Sequence, residues 1–185
     1  ADALQKIQSQ ETELILADYS VVEKRLQNLA KSQSEKEEIE TLSRYKLHLE
    51  EDLPLRIAAI SADDQRLTAA YNFLSQKPAI YLINHAEGVS PKTDGSELPS
   101  LCTKNRTTAY HTALSLEKEI STLSESDKIN FLKEFSLTAT IKTALLQEAF
   151  KTLNLISFLT MGKDEVRAWE LTRNSSALVA AGKIH

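Results

Sequence analysis

The chain has 185 residues, 42% hydrophobic and 26% charged, which places it among globular proteins and excludes a disordered one. Its 22 Lys and Arg against 26 Asp and Glu give a net charge of −4, which excludes a wholly basic surface for nucleic acid and leaves only local patches. Cys102 is the one cysteine, so an internal disulfide framework is excluded; no apolar run approaches the roughly 20 residues of a membrane span, and Ala1-Asp2-Ala3-Leu4-Gln5-Lys6 has no signal-peptide pattern. The expectation is a soluble cytoplasmic protein with no membrane partner.

The first fifty residues contain no Gly and no Pro. Ile15, Tyr19, Val22, Leu26 and Leu29 step by 4, 3, 4 and 3, the seam of a coiled coil. After the polar Ser32-Gln33-Ser34, a second helical stripe runs through Ile39, Leu42, Tyr45, Leu49 and Leu53. Two such helices joined by a short turn can bury their stripes against each other. Residues 11–52 are therefore expected to form an antiparallel helical hairpin, with Glu35-Lys36-Glu37-Glu38 starting its second arm. Acidic residues there suit the positive end of a helix.

Pro54 stops that arm. Ser61-Ala62-Asp63-Asp64 is a helix start, a hydroxyl followed three residues later by a carboxylate. That helix is expected to reach about Leu74, with Ile60, Leu67 and Tyr71 among its apolar positions, and Pro78 ends it. Ala79-Ile80-Tyr81-Leu82-Ile83 then reads as a strand buried on both faces, as in a parallel sheet. Residues 88–106, with two glycines and two prolines, read as a loop that leaves Cys102 exposed. Ala109-Tyr110-His111-Thr112-Ala113 reads as a second, shorter strand.

Ser124-Glu125-Ser126-Asp127 starts another helix, and a longer one is expected over 139–153 with Ile141, Leu145, Ala149 and Leu153 on one face. Leu155-Ile156-Ser157-Phe158-Leu159-Thr160 reads as a third strand, turned at Gly162. Val166-Arg167-Ala168-Trp169-Glu170-Leu171 alternates as a strand, with Trp169 expected to fill a core. Strands alternating with helices from residue 79 onward indicate α/β, and three or four strands amount to half a sheet. Both ends read as cut from a larger protein.

Few residues carry recognisable chemistry. His48, His85, His111, His185 and Cys102 lack metal-ligand spacing. Gly88, Gly95, Gly162 and Gly182 open no G-x-x-x-x-G-K-[ST] loop; Gly182-Lys183 is followed by Ile184, without the hydroxyl that would reach Mg²⁺. Asp164 and Glu165 would point to opposite faces of a strand and so would not converge as an acid–base pair. Asn84-His85-Ala86-Glu87 directly follows the first strand, where α/β folds bind ligands. The bland alternative is a strand end with a solvated Asn-His pair.

Several segments together resemble the YchF-type Obg-like ATPases, a P-loop family related to the translation-factor GTPases. They are Glu13-Leu14-Ile15-Leu16-Ala17-Asp18, Val22-Glu23-Lys24-Arg25-Leu26, Lys77-Pro78-Ala79-Ile80-Tyr81-Leu82-Ile83-Asn84, Asp164-Glu165-Val166-Arg167-Ala168-Trp169 and Ala180-Ala181-Gly182-Lys183-Ile184-His185. Their order fits that family across nearly all of residues 10–185. The resemblance implies a partial P-loop NTPase-type parallel sheet with helices and an inserted antiparallel coiled-coil hairpin. On that map 1–74 is the hairpin region inserted in a G-domain, 75–162 the later part of the G-domain, and 163–185 the start of a TGS-like domain.

The same resemblance implies an intact protein that binds and hydrolyses ATP, or GTP, with Mg²⁺ and works with the ribosome. Its P-loop and switch segments would precede residue 1, so this chain alone is expected to be inactive, with no catalytic residue of its own. Asn84, His85 and Glu87 fall on the family's base-reading motif, N-x-x-E there and N-K-x-D in related GTPases. An Asp carboxylate accepts from the N–H groups of guanine; Glu in its place no longer fixes guanine, and the site can favour adenine. Asn84 would bond the base edge and His85 would pack over its plane in place of Lys. Ala113-Leu114-Ser115 falls on a second base loop, Ser-Ala-Lys-like in the family. With the hydroxyl gone, the backbone N–H groups of Ala113 and Leu114 would make that contact. Lys24, Arg25, Lys31, Arg44 and Lys46 on the hairpin are candidates for phosphates of ribosomal RNA. The alternative is a non-enzymatic module that binds protein or RNA through the hairpin.

Overall fold

Twenty-seven residues without Gly or Pro, Ala3–Leu29, form α1, which reaches back past the expected start at residue 11. A second helix, α2, spans Lys36–Glu50 and carries Glu37 and Glu38 in its first turn. The seam residues Ile15, Val22 and Leu29 of α1 meet Leu42, Tyr45 and Leu49 of α2, with Leu55 and Phe73 closing the cluster. Val22, Leu42 and Leu55 are completely buried, each contributing about 1.5–3 kcal/mol of hydrophobic stabilisation. Polar pairs flank this seam: Tyr19 to Glu50, Lys46 to Glu23 and Arg25 to Glu38. Partner numbers rise along α1 as they fall along α2, so the two helices run in opposite directions.

This computed structural model describes residues 3–29, 36–86, 97–134 and 140–184. The turn at Ser32-Gln33-Ser34 lies outside them. The chain divides into two compact units, Ala1–His111 and Thr112–His185.

In the first unit, Pro54 ends the helical pair and a 3-10 turn at Leu55–Ile57 follows. Helix α3, Ala62–Thr68, begins with the expected box: Ser61 Oγ accepts from the Asp64 N–H, and the Asp64 carboxylate accepts from the Ser61 N–H. It gives way to a 3-10 turn at Ala69–Tyr71, ended by Asn72 in the left-handed region, short of the expected Leu74. Ile60 and Tyr71 pack on the first cluster, but Leu67 faces outward. The segment after Asn72 is held by Asp18, whose buried carboxylate accepts from the N–H groups of Leu74 and Ser75, both at 2.7 Å, and from Ser75 Oγ at 2.6 Å. Three donors on one carboxylate offset its desolvation.

Strand β1, Ile80–Asn84, pairs with β2, Thr108–Thr112. β1 is half-buried rather than covered on both faces. Tyr81 and Ile83 on one face, with Ala109 of β2, pack on a second cluster of Leu4, Ile7, Leu98 and Cys102. That cluster corrects the reading of residues 88–106 as a loop, since α4 occupies Glu97–Lys104. Leu98, Leu101 and Cys102 have i, i+3, i+4 spacing, and Pro99 is tolerated in a first turn. Cys102 is consequently buried, not exposed in a polar loop.

The second unit contains α5 (Leu114–Thr122), α6 (Glu125–Glu134) and α7 (Ile141–Thr152). It continues with β3 (Leu155–Met161), β4 (Val166–Thr172) and α8 (Ala177–Ile184). The Glu117 carboxylate of α5 accepts from the first N–H of α7, at Ile141, 2.9 Å away. Strands β3 and β4 pair antiparallel, with Phe158 opposite Trp169 and Met161 opposite Val166. The turn closes through the Gly162 N–H to the Glu165 carbonyl at 2.8 Å.

The four strands therefore do not assemble into one half-sheet. They form two separate two-stranded sheets, β1–β2 and β3–β4, because the short turn at Gly162 returns the chain directly beside β3. Trp169 does not fill a core either. It lies half-buried on the hairpin, its Nε1–H donating to Thr160 Oγ1 at 2.9 Å and the Arg167 guanidinium 5.3 Å from its ring centre. Among the described residues, no helix is long and apolar enough to cross a membrane.

Candidate functional site

Strand alternation decides what the end of β1 presents. Tyr81 and Ile83 face the second cluster, so Leu82 and Asn84 fall on the other face, where both are exposed. Asn84 lines a cleft of about 480 Å³ beside α1, together with Lys6, Ile7 and Tyr81. That volume is within the range of small-molecule sites.

His85 is next in the chain and half-buried. Its Nδ1 lies 3.1 Å from the Ala86 carbonyl oxygen. A carbonyl oxygen only accepts, so Nδ1 is the donor of this bond. The ring of His111, exposed on β2, has its centre 6.5 Å from that of His85 with the planes tilted 36°. Sequence reading passed over His111 because it considered only metal-ligand spacing. Its signal was position: with Ala109 two residues before it on the same strand face, His111 belongs on the face that His85 continues.

Glu87 lies outside the described residues. Ala113 and Leu114, the other two base candidates, follow β2 directly in the chain. Ala113 is the N-cap of α5 with extended backbone and no side-chain cap.

Beneath the Asn84 strand is a buried ion pair. Arg56 Nη1 donates to both oxygens of Glu11, at 2.9 and 2.7 Å, and Arg56 Nε donates to the Lys77 carbonyl at 2.9 Å. The Tyr81 hydroxyl also donates to Glu11. Burial, and then the Glu11 carboxylate, hold the Tyr81 phenol far above its ordinary range, so it remains a hydrogen-bond donor at neutral pH. This group ties α1, the turn after Pro54 and β1 into one frame.

The hairpin cations singled out in the sequence are largely engaged. Arg25 binds Glu38 through two parallel bonds of 3.0 Å, and that contact, ahead of a Tyr71 hydroxyl bond, lowers the Glu38 pKa. Arg44 Nη2 is 2.6 Å from Asp64, and Lys46 sits between Glu23 and Glu50. Lys31 lies outside the described residues. Nor do the described residues fit Mg²⁺, which needs convergent oxygen donors: no three carboxylate, histidine or cysteine groups among them come close enough to hold a metal.

Comparison with known proteins follows the same outline. A family model described as YchF-GTPase_C, "Protein of unknown function (DUF933)", matches residues 155–185. The "Ribosome-binding ATPase YchF" of Buchnera aphidicola subsp. Schizaphis graminum (strain Sg) is 32% identical over 94% of this chain and 49% of its own length. Its counterpart of the same description from Bacillus subtilis (strain 168) is 28% identical over 100% of this chain and 53% of its own. A solved structure, "Structure of the Schizosaccharomyces pombe YchF GTPase", superposes with a TM-score of 0.84 and 26% identity over 100% of this chain and 53% of that one. The chain thus spans about half the length of the relatives it matches. By sequence and by fold, the chain is similar to about half of these YchF proteins.

Proposed function

We propose that this chain carries the nucleotide-base-reading half of an Obg-like ATPase of the YchF type. Asn84, His85 and Glu87 read the base, assisted by the backbone N–H groups of Ala113 and Leu114. On this reading residues 1–74 are the coiled-coil region inserted in a G-domain, 75–162 the later G-domain and 163–185 the start of a TGS-like domain. The whole protein binds ATP, or GTP, with Mg²⁺ and associates with the ribosome, in the cytoplasm. What bound nucleotide supplies is a scissile phosphoanhydride; the residues of this chain hold and select the base.

The observation that carries the reading is the placement of Asn84. It stands exposed at the end of a strand whose opposite face is packed, on the rim of a cleft of ligand size. A carboxamide can donate and accept along a base edge, while His85 packs over the plane of the base. Glu87→Asp, with His85 and Ala86 kept, is expected to move preference from ATP toward GTP in paired binding titrations. An unchanged ATP-to-GTP ratio, or no binding of either nucleotide to a chain that includes the upstream part, removes the base-reading assignment.

A second reading, a non-enzymatic interaction module built on the helical pair, is favoured by one observation. Leu16 and Leu47 of α1 and α2 are 57% and 64% exposed, while Arg25, Arg44 and Lys46 are engaged by carboxylates. That surface suits a protein partner better than RNA phosphates.

A further inference from the structure

Resting on the base-reading proposal for Asn84, we infer that His111 is a base-contacting residue, forming with His85 a two-ring platform for the flat face of the purine. The N-x-x-E motif contains no such residue; it comes from the neighbouring strand. Three observations converge on it.

The first is registration. Tyr81 and Ile83 of β1 and Ala109 of β2 share the face that packs on Leu4, Ile7, Leu98 and Cys102. Alternation by two carries that face on to His85 after β1 and to His111 within β2. Both rings therefore continue that face of the sheet at its end. Asn84 is on the opposite side of the strand. A planar base set across the strand ends thus meets a carboxamide at its edge and imidazoles at its face.

The second is the geometry of the rings. With centres 6.5 Å apart and planes tilted 36°, they are too far apart to be stacked on each other and near enough to form one surface. A purine is longer than one imidazole, so a single ring leaves part of its face uncovered. The third is exposure: His111 is open to solvent. Stacking on an aromatic face is tolerant of base identity. His111 therefore adds affinity for any purine, and discrimination is left to contacts along the base edge.

The test uses the 185-residue chain and adenosine, which needs no phosphate-binding loop. The histidine ring carbons and their protons are followed by heteronuclear NMR as adenosine is added to millimolar concentration. His48 serves as the internal reference, because it is on α2 with its Nε2 3.2 Å from the Pro54 carbonyl. The expected result is that His85 and His111 shift together along one saturation curve while His48 stays in place. His111→Ala is expected to weaken adenosine and guanosine alike by roughly five-fold or more, on the scale of base–aromatic stacking, and His111→Phe to restore the binding. Both substitutions are at an exposed position, so folding is not at stake. Shifts at His85 with none at His111, or unchanged affinity in His111→Ala, overturn this inference and leave the base-reading proposal standing. No shift at either ring overturns both.

Discussion

Val22, Leu42 and Leu55 of the first unit are sealed from solvent, whereas Met161 and Leu178 of the second are each 82% exposed. Both units mix helix and strand, but they differ in what holds them. Around Phe73 the first unit has a continuous apolar cluster, with the Asp18, Glu11 and Asp64 carboxylates all buried and all bonded. Among the described hydrophobic residues of the second unit, Ile120 and Leu171 are the buried ones. Its order rests on backbone pairing between β3 and β4 and on single polar links, such as Glu117 to the start of α7 and Lys183 to Glu170. The lesson is that regular elements and tertiary burial are separate properties: a ladder satisfies backbone groups whether or not its side chains are covered. The first unit should respond to single substitutions as a packed core does, the second as a surface does.

The largest effect is expected at Arg56→Ala, which leaves Glu11 buried without its cation and should cost about 3–5 kcal/mol in urea denaturation. The paired replacement Glu11→Leu with Arg56→Met should be far milder; equal losses in the two variants would mean that the ion pair is not the source. Leu42→Ala comes next, at about 2–5 kcal/mol from lost transfer energy and the cavity left behind. A loss below about 1 kcal/mol would show that α1 and α2 do not share the seam described for them.

Acid gives a third test. Bonds from the Ser61 backbone N–H first, then from Ser61 Oγ, Thr41 and Arg44, lower the Asp64 pKa from 3.8 to about 2. A carboxylate depressed in the folded state contributes stability that is present above its unfolded pKa and lost as pH falls through the folded one. Stability should therefore decline between about pH 4 and pH 2, and Asp64→Asn should lack that part of the decline. Identical acid profiles in the two proteins would contradict the assignment. Ser61→Ala removes one cap of α3 and should cost about 1 kcal/mol. Smallest of all, Leu178→Gln in α8 should stay within about 0.5 kcal/mol of the parent. A loss several times larger would mean that the exposed face of α8 is covered in solution, and the contrast between the units would fail there.

Much of this contrast was legible before any coordinates. The 4-3-4-3 stepping through Ile15, Tyr19, Val22, Leu26 and Leu29 is a local pattern, and so is the Ser61–Asp64 box; both were found where the residues put them. Strand β2 was located within a residue of Thr108–Thr112. Helix α4 was missed because Pro and Gly on either side of Leu98-Pro99-Ser100-Leu101-Cys102 outweighed a five-residue periodic signal. Helices α5 and α8 were missed for a related reason. They are short, and only Ile120 of α5 gives a buried anchor. Sheet membership was not legible at all, since the separation of β1–β2 from β3–β4 depends on which strand returns beside which. At the candidate site, Asn84 and His85 could be named from a contiguous motif. His111 is twenty-six positions after His85, and only strand pairing brings the two rings together.

The scarcity of glycine has its own explanation in the backbone. Asp52, Asn72, Arg106, Asn154 and Asn174 all adopt positive φ, between 50 and 65°. Four of them are Asn or Asp, whose short polar side chains tolerate the left-handed region at modest cost. They stand just past α2, the turn after α3, α7 and β4, where Gly usually reverses the chain. Composition therefore understates how often this polypeptide changes direction: its punctuation is written in asparagine. Arg106, just past α4, is the exception. It is the one site in this set where the chain retains torsional strain with no side-chain chemistry to ease it, and so the natural place to relieve it with glycine.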